Sequence, residues 1–334
     1  MRAFLRPFWL SATLSLALCL LAAHAALIIS RQNDVAKPPM PIPGRTYVCS
    51  YPRGFADHYL FLFGLFGFGE RIHSADVLIS GSSHPQLGLS ADQLSHRLSE
   101  KSGSHVRAFN MSLAFGEGMA FTRDILQRND IEEKTMIIDV FNPLGDDVSE
   151  FGRIASKADL ARAYFEVGKI WADFLRDWLF DSVAPRVIIE PQAFGMTARR
   201  FLSTVVLRHW KTGDVIELWQ PDRGAIYQHT PPDIAHGMLA RTEPFTSRED
   251  GGIYVAQAMI ESLRSLNIKA VFTLIPYPTY DEAAAMRVSQ AYGMFISIAP
   301  GSLMFLDIAH FNADGRSLAT DRLIAGWPAG LPHR

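Results

Sequence analysis

The sequence has little cysteine, no cluster of basic residues and almost no net charge. Its 334 residues include two cysteines, and Cys19 falls inside an apolar segment, so an internal disulfide framework is excluded and stability has to come from a packed core. The formal net charge of −2 and the lack of a Lys/Arg run exclude nucleic acid as a partner. With 48% apolar and 20% charged residues, the chain has the composition of a folded protein with one elaborated domain or two small ones.

The N-terminal segment predicts a membrane anchor. Residues 8–29 are almost uninterrupted apolar sequence, long enough as a helix to cross a hydrocarbon core of roughly 30 Å. Arg2 and Arg6 precede this run, which favours a cytoplasmic N-terminus and a folded body outside the cytoplasm, in the periplasm or another extracytoplasmic space. The alternative is a signal peptide cleaved near Ala23-His24-Ala25, but the apolar run continues to Ile29. We therefore expect residues 1–31 to anchor the protein in the cytoplasmic membrane as a single span.

The remaining chain divides into a spacer and a domain. Residues 32–54 are proline-rich and predict an extended spacer, and residues 55–330 predict the folded domain. The apolar and aromatic run at residues 59–68 is too short to span a bilayer. It indicates either a buried helix or strand of the core, or a surface that contacts the membrane or a membrane partner.

From residue 76 onward, short β-branched runs alternate with helical patterns. This alternation is typical of a doubly wound, flavodoxin-like α/β fold, in which helices flank a parallel sheet. Residues 182–251 interrupt the alternation with strand-like pieces among Pro, Gly and Arg, such as residues 187–189 and 215–219, and predict an insertion or cap. The predicted strands of the sheet are residues 76–80, 106–109, 135–140, 270–275 and 294–298.

Two polar segments fall where strand ends of such a sheet would meet. Ser83 follows the first strand and Gly81, and a loop leaving that end of a strand faces the ligand crevice. Asp307 and His310 follow the last strand and are three residues apart, so one turn can hold both. A hydroxyl becomes a good nucleophile when an imidazole takes its proton and an acid orients that imidazole. The alternative for Ser83 is a helix cap in an ordinary turn.

These segments resemble the SGNH/GDSL hydrolase superfamily, in particular its membrane-anchored extracytoplasmic members associated with acylation of surface polysaccharides. Gly81-Ser82-Ser83 followed by Gly88 is similar to the first block, with Ser82 where the usual Gly-Asp-Ser has Asp. Asp307-x-x-His310-x-Asn312 followed by Gly315 is similar to the last block. The resemblance covers residues 76–323, although residues 182–251 match poorly. It implies that Ser83 is the nucleophile, His310 the general base and then acid, and Asp307 its orienting partner.

The resemblance also implies an oxyanion hole. Its donors would be the backbone N–H of Ser83, a glycine N–H of the second block and an asparagine amide of the third. Gly116 is the better placed glycine, and Gly118 is the alternative. Asn142 would be the amide donor, although the usual Gly-x-Asn-Asp of the third block is not preserved.

The function expected from these features is acyl transfer through a covalent acyl-serine. The substrate would be an acyl, in particular acetyl, group on an exported or cell-surface polysaccharide, and the enzyme would be an esterase or an O-acyltransferase, with a membrane-bound acyltransferase as a possible partner. The alternative is an inactive SGNH-like protein that binds glycan or scaffolds a membrane complex. No metal or other cofactor is expected, because His24, His229 and His236 lack ligand partners at metal spacing.

Overall fold

The computed structural model describes residues 39–52, 54–114, 117–140, 148–187, 204–220, 224–227, 257–276, 282–290, 292–299, 301, 303–306 and 310–331. Among these residues, no helix combines the length and the apolar character needed to cross a bilayer. The predicted anchor at residues 8–29 lies outside the described residues.

The strands in chain order are β1 (Thr46–Ser50), β2 (Val77–Ser80), β3 (Ala108–Asn110), β4 (Thr135–Asp139), β5 (Val205–His209), β6 (Val215–Gln220), β7 (Gly224–Ala225), β8 (Lys269–Thr273) and β9 (Met294–Ile296). The α-helices are α1 (Ala56–Leu62), α2 (Phe68–Ser74), α3 (Ser83–Gly88), α4 (Ala91–Ser102), α5 (Met119–Arg128), α6 (Glu150–Ser156), α7 (Leu160–Val187), α8 (Gln257–Ser265), α9 (Glu282–Gln290) and α10 (Ala313–Ala325).

The main sheet is parallel and has the strand order β3-β2-β4-β8-β9 in the described part of the chain. Helices connect its successive strands, as parallel pairing requires. The strand order changes direction at β2, and ligands of open α/β sheets bind beyond the carboxyl ends of the strands at such a point. The predicted α/β class with a parallel sheet is confirmed, and the order is consistent with a doubly wound fold.

Both faces of this sheet are covered by apolar side chains. On one face, Leu78 and Phe272 pack in a core with α1, α5 and α8. On the other face, Val77 and Val271 pack with α4 and α10. Successive residues of a strand point to opposite faces, so burial on both sides requires continuous apolar strands, as the sequence has. Each fully buried Val, Leu or Phe contributes roughly 1.5–3 kcal/mol relative to exposure, which holds the strand ends in fixed positions.

A second sheet is antiparallel and has the order β1-β5-β6-β7. β1 pairs with β5 from Thr46 opposite His209 to Ser50 opposite Val206. Residues 46–50, assigned to the spacer by the sequence analysis, are therefore a sheet strand, and four of the five residues of β1 are buried. The predicted insertion supplies β5, β6 and β7, so it forms one sheet with the beginning of the domain.

The two strand-like pieces of the insertion have different structures. Residues 215–219 lie in β6, as expected. Val187 instead ends helix α7, which runs from Leu160 to Val187, so this part of the strand expectation is wrong. Residues 188 and 189 lie outside the described residues.

The aromatic run at residues 59–68 is mainly core. Leu60, Phe61 and Phe68 are fully buried, and the first part of the run lies in α1. Phe66 is the exception: it is 47% exposed and has a positive φ of 52° in the short 3-10 helix Leu65–Gly67. The buried-helix interpretation therefore describes most of the run.

Candidate active site

The turn after β2 places Ser83 at the first position of α3. Gly81 adopts a φ of +145°, and a Cβ at this position would lie 2.7 Å from Cγ of Pro85, so the turn requires glycine. Ser82 is the N-cap residue of α3, and its hydroxyl accepts a hydrogen bond from the backbone N–H of His84 at 3.4 Å. The alternative interpretation of Ser83 as the helix cap is therefore wrong, since Ser82 has that role. The hydroxyl of Ser83 is left for another partner.

That partner is His310. Its Nε2 lies 2.8 Å from Oγ of Ser83, within hydrogen-bonding distance, and both side chains are partly exposed to solvent. The two residues are 227 positions apart in sequence, so the fold brings them together at the carboxyl edge of the parallel sheet. This is the pair that the sequence predicted as nucleophile and base.

The segment around His310 is held by its neighbours in the chain. The carbonyl of His310 accepts a hydrogen bond from the N–H of Leu306 at 2.7 Å. Asn312 is the N-cap residue of α10 and accepts a hydrogen bond from the N–H of Gly315 at 2.8 Å. A Cβ on Gly315 would lie 2.0 Å from the carbonyl oxygen of Met304, so a side chain there would displace the segment. Asn312 and Gly315 thus fix the backbone that presents the imidazole.

Three of the other predicted site residues lie outside the described residues: Asp307, Gly116 and Asn142. Their roles as orienting acid and oxyanion donors stay predictions. Gly118 is described, and it is the buried N-cap residue of α5 with an extended backbone. Its neighbour Glu117 anchors the loop between β3 and α5.

Glu117 joins this loop to α1 and α6. Its carboxylate lies 2.9 Å from Nε2 of His58 and accepts a hydrogen bond from the N–H of Ser149 at 2.9 Å, as well as one from the Ser149 hydroxyl. Burial alone would raise the pKa of Glu117, but hydrogen bonds from His58 and Ser149 outweigh burial and lower it. The Glu117 carboxylate thereby links the loop between β3 and α5 to His58 of α1 and to Ser149, the residue before α6.

The chain matches no protein-family model and no curated protein. The assignment of a function therefore depends on the geometry of the site and on the resemblance described above.

Two further polar residues at the site, His84 and Asp139, were given no role by the sequence analysis. The ring of His84 lies edge-on to that of His310, with centroids 5.5 Å apart. Nδ1 of His84 is 3.9 Å from Oδ2 of Asp139, and Oδ1 of Asp139 accepts a hydrogen bond from the N–H of Ile275 at 3.0 Å. Asp139 ends the buried strand β4 beside β2, and a polar residue at that position is the signal that could have identified it.

The geometry of Ser83 and His310 is suited to proton transfer. If the Ser83 hydroxyl donates to Nε2 of His310, the imidazole carries its proton on Nδ1, the tautomer that a general base requires. The described residues contain no group of three or more His, Cys, Asp or Glu side chains placed to hold a metal ion. The contact between Oγ of Ser83 and Nε2 of His310 can activate the serine hydroxyl by proton transfer.

Proposed function

We propose that this protein is a serine-dependent esterase or O-acyltransferase. The observation that carries the proposal is the 2.8 Å separation between Oγ of Ser83 and Nε2 of His310. A serine of ordinary pKa is a weak nucleophile, and an imidazole at this distance can remove its proton as the oxygen attacks. The position of the pair at the carboxyl edge of a parallel sheet supports a substrate site there.

The reaction would proceed in two halves. Oγ of Ser83 attacks the carbonyl carbon of the acyl ester while its proton passes to Nε2 of His310. The protonated imidazole then donates that proton to the departing alkoxide oxygen, which leaves an acyl group on Ser83. Water or a sugar hydroxyl gives its proton to Nε2 of His310 as it attacks the carbonyl carbon of this acyl-serine. His310 then returns the proton to Oγ of Ser83 as the bond between Oγ and the acyl group breaks, which restores the free enzyme. Asp307 is the predicted partner that orients His310, and Gly116 and Asn142 are predicted donors to the tetrahedral oxyanion.

For the substrate, we infer an acyl group on an extracytoplasmic polysaccharide. The predicted anchor at residues 8–29 and the resemblance to membrane-anchored SGNH/GDSL proteins support this choice. Hydrolysis and transfer use the same residues, and the shape of the pocket decides whether water or a sugar hydroxyl reaches the acyl-serine. For the transfer reaction, a membrane-bound acyltransferase is a candidate partner.

The proposal is tested with a fluorophosphonate, which reacts covalently with activated serines. Mass spectrometry should locate the adduct on Ser83 in the full-length protein, and Ser83→Ala should abolish labelling. Ser82→Ala is the matched control, because it changes the adjacent hydroxyl, costs about 1 kcal/mol of helix capping and should still be labelled at Ser83. Folded wild-type protein that resists the reagent would instead favour the alternative of an inactive glycan-binding or scaffold protein.

The two reactions are then separated by product. Acetyl groups from p-nitrophenyl acetate should appear on an added oligosaccharide if the protein is a transferase, and as free acetate if it is an esterase. In both cases the products should disappear in Ser83→Ala.

A further inference from the structure

The guanidinium of Arg208 is completely buried where the antiparallel sheet meets the parallel sheet. Its Nη1 donates to Oδ2 of Asp57 at 2.6 Å, and Asp57 in turn accepts a hydrogen bond from the hydroxyl of Tyr47 at 2.7 Å. Because the carboxylate and the guanidinium are paired, the two charges compensate each other in the interior. A buried ion pair of this kind is often no more stable than apolar residues of the same size, so its presence calls for an account other than stability.

The remaining donors of Arg208 hold backbone carbonyls. Nη2 donates to the carbonyl of Asn110 at 2.5 Å, Nη1 also donates to that of Ser112 at 2.9 Å, and Nε donates to that of Gly213 at 2.5 Å. Asn110 and Ser112 begin the segment that connects β3 to the candidate oxyanion glycines. The planar guanidinium thus fixes the start of that segment at two points, which a lysine ammonium could not do with the same geometry.

The turn between β5 and β6 also contacts Asn110. The N–H of Asn110 donates to the carbonyl of Thr212 at 2.8 Å. Gly213, with a φ of +70°, approaches so closely that a Cβ would lie 2.2 Å from the carbonyl oxygen of Asn110. Asn110 is therefore held at its N–H by the turn and at its carbonyl by Arg208.

Asn110 passes this constraint to the helix that begins with Ser83. Its side-chain Nδ2 donates to the carbonyls of Pro85 and Leu89, each at 3.2 Å, and its Oδ1 accepts from the N–H of Ser112 at 3.1 Å. Pro85 is two residues after Ser83 in α3. One residue thus separates the buried guanidinium from the helix that carries the nucleophile.

The same small sheet also contacts the segment that carries the base. The carbonyl of Tyr227 accepts a hydrogen bond from the N–H of Ala313 at 3.0 Å, and the hydroxyl of Tyr227 donates to the carbonyl of Leu87 in α3 at 3.1 Å. Arg316 of α10 donates to the carbonyl of Val215 at 2.7 Å. Ala313 is three residues after His310, so β6 and Tyr227, two residues beyond β7, contact both the segment of the base and the helix of the nucleophile.

We infer that Arg208 is a positioning residue for acyl transfer, which fixes the Asn110–Ser112 backbone and through Asn110 the helix that begins with Ser83. The inference rests on the proposed function. The predicted insertion thus has a defined task in the reaction, in addition to any contact with substrate. Because Arg208 touches no reacting atom, its loss should lower kcat and leave KM almost unchanged.

The test compares turnover per active site in four full-length proteins: wild type, two Arg208 variants and one control variant. A fluorophosphonate titration counts the competent Ser83 sites, and the hydrolysis of p-nitrophenyl acetate is then expressed per titrated site, so partial unfolding does not mimic a slower reaction. Arg208→Lys keeps the charge opposite Asp57 but loses the planar donor array. The double variant Arg208→Met/Asp57→Asn removes both charges and leaves no unpaired buried ion, so it avoids the largest energetic cost of losing the guanidinium alone.

In both variants, kcat per titrated site should fall about 10- to 100-fold, with KM within about twofold of wild type, because the helix that begins with Ser83 is displaced and the nucleophile is not removed. Lys134→Met is the matched control. It removes a buried cation that donates to the carbonyl of His73 at 2.6 Å, at the amino-terminal edge of the parallel sheet. This control should lower stability without changing kcat per titrated site. An unchanged kcat in a folded Arg208 variant would overturn the positioning role. A wild-type protein with no titratable Ser83 would instead overturn the proposed function.

Discussion

The parallel sheet and the antiparallel sheet place their polar residues differently. At the carboxyl edge of the parallel sheet, Ser83 and His310 are partly exposed and face each other across 2.8 Å. In the antiparallel sheet, Arg208 is fully buried and donates to a carboxylate and three carbonyls. The first arrangement leaves groups accessible to a substrate, and the second leaves none. Under the proposed function, substitutions in the two sheets should therefore separate loss of turnover from loss of stability.

The largest effect is expected from His310→Ala at the edge of the parallel sheet. Without the imidazole, nothing accepts the Ser83 proton at 2.8 Å, so ester hydrolysis should fall by about 10⁴-fold or more while the unfolding transition stays close to that of wild type. His96→Ala is the control. The His96 side chain lies on α4 and is 70% exposed, so this variant should keep full activity. Residual activity within tenfold of wild type would exclude His310 as the base.

Gly213→Ala in the antiparallel sheet should give the next largest effect, this time on stability. Both Gly213 and Gly103 have left-handed backbones, with φ of +70° and +68°, so alanine costs about 1–2 kcal/mol of backbone strain at either position. At Gly213 a Cβ would also lie 2.2 Å from a backbone carbonyl oxygen, whereas at Gly103 nothing lies within 4 Å. Urea unfolding should therefore show a total loss of about 3 kcal/mol or more for Gly213→Ala. Equal losses of unfolding free energy in Gly213→Ala and Gly103→Ala would show that Gly213 is not in close steric contact with Asn110.

A pH-dependent effect is expected at Glu117, in the loop of the parallel sheet. Hydrogen bonds from His58 and Ser149 lower the pKa of this carboxyl below its unfolded value, in spite of burial. A carboxyl with a depressed folded-state pKa stabilises the protein above its unfolded pKa of about 4.3, and this stability is lost as the pH falls through the folded-state pKa.

Glu117→Gln should cost about 2 kcal/mol at neutral pH, since it weakens hydrogen bonds to a charged acceptor. The difference between wild type and variant should shrink as urea unfolding is repeated at pH values from 7 down to 3. A difference that grows on acidification would reverse the assigned direction of the pKa shift.

The smallest effects are expected from the buried hydroxyls of Tyr47 and Tyr227. Tyr47→Phe removes a hydrogen bond to the Asp57 carboxylate at 2.7 Å and should cost about 2 kcal/mol. Tyr227→Phe removes one to the neutral carbonyl of Leu87 at 3.1 Å and should cost about 1 kcal/mol. Both side chains are buried, so urea unfolding compares a charged acceptor with a neutral one. The reverse order would indicate that the Asp57–Arg208 pair does not need the Tyr47 hydroxyl.

The parallel sheet was predictable from local pattern. Its strands are short apolar runs between helices, and β2 and β4 lie within one residue of the predicted ranges. Ser83 and His310 could be paired because each follows a predicted strand, and parallel strands bring their carboxyl ends to one edge. Whether a residue follows the end of a strand depends on the local sequence pattern, so a single sequence is sufficient to predict these two positions.

The antiparallel sheet was not predictable in the same way. β1 pairs with a strand far along the chain, and the pairing depends on long-range register and not on the pattern of residues 46–50. Arg208 is a charged residue in a stretch rich in Pro, Gly and Arg, where exposure is the usual expectation. Arg208 is buried because three separate segments of the chain supply the carbonyls and the carboxylate that accept its hydrogen bonds. The composition of the sequence does not predict that these segments meet.

The pairing of β1 with β5 has a consequence for biosynthesis. During translation, β1 emerges first and lacks its neighbour until β2, β3 and β4 have all been made. The nascent chain can therefore form the Ser83 turn before the Arg208 contacts exist, and the contact between Ser83 and His310 forms only after residue 310 has been made.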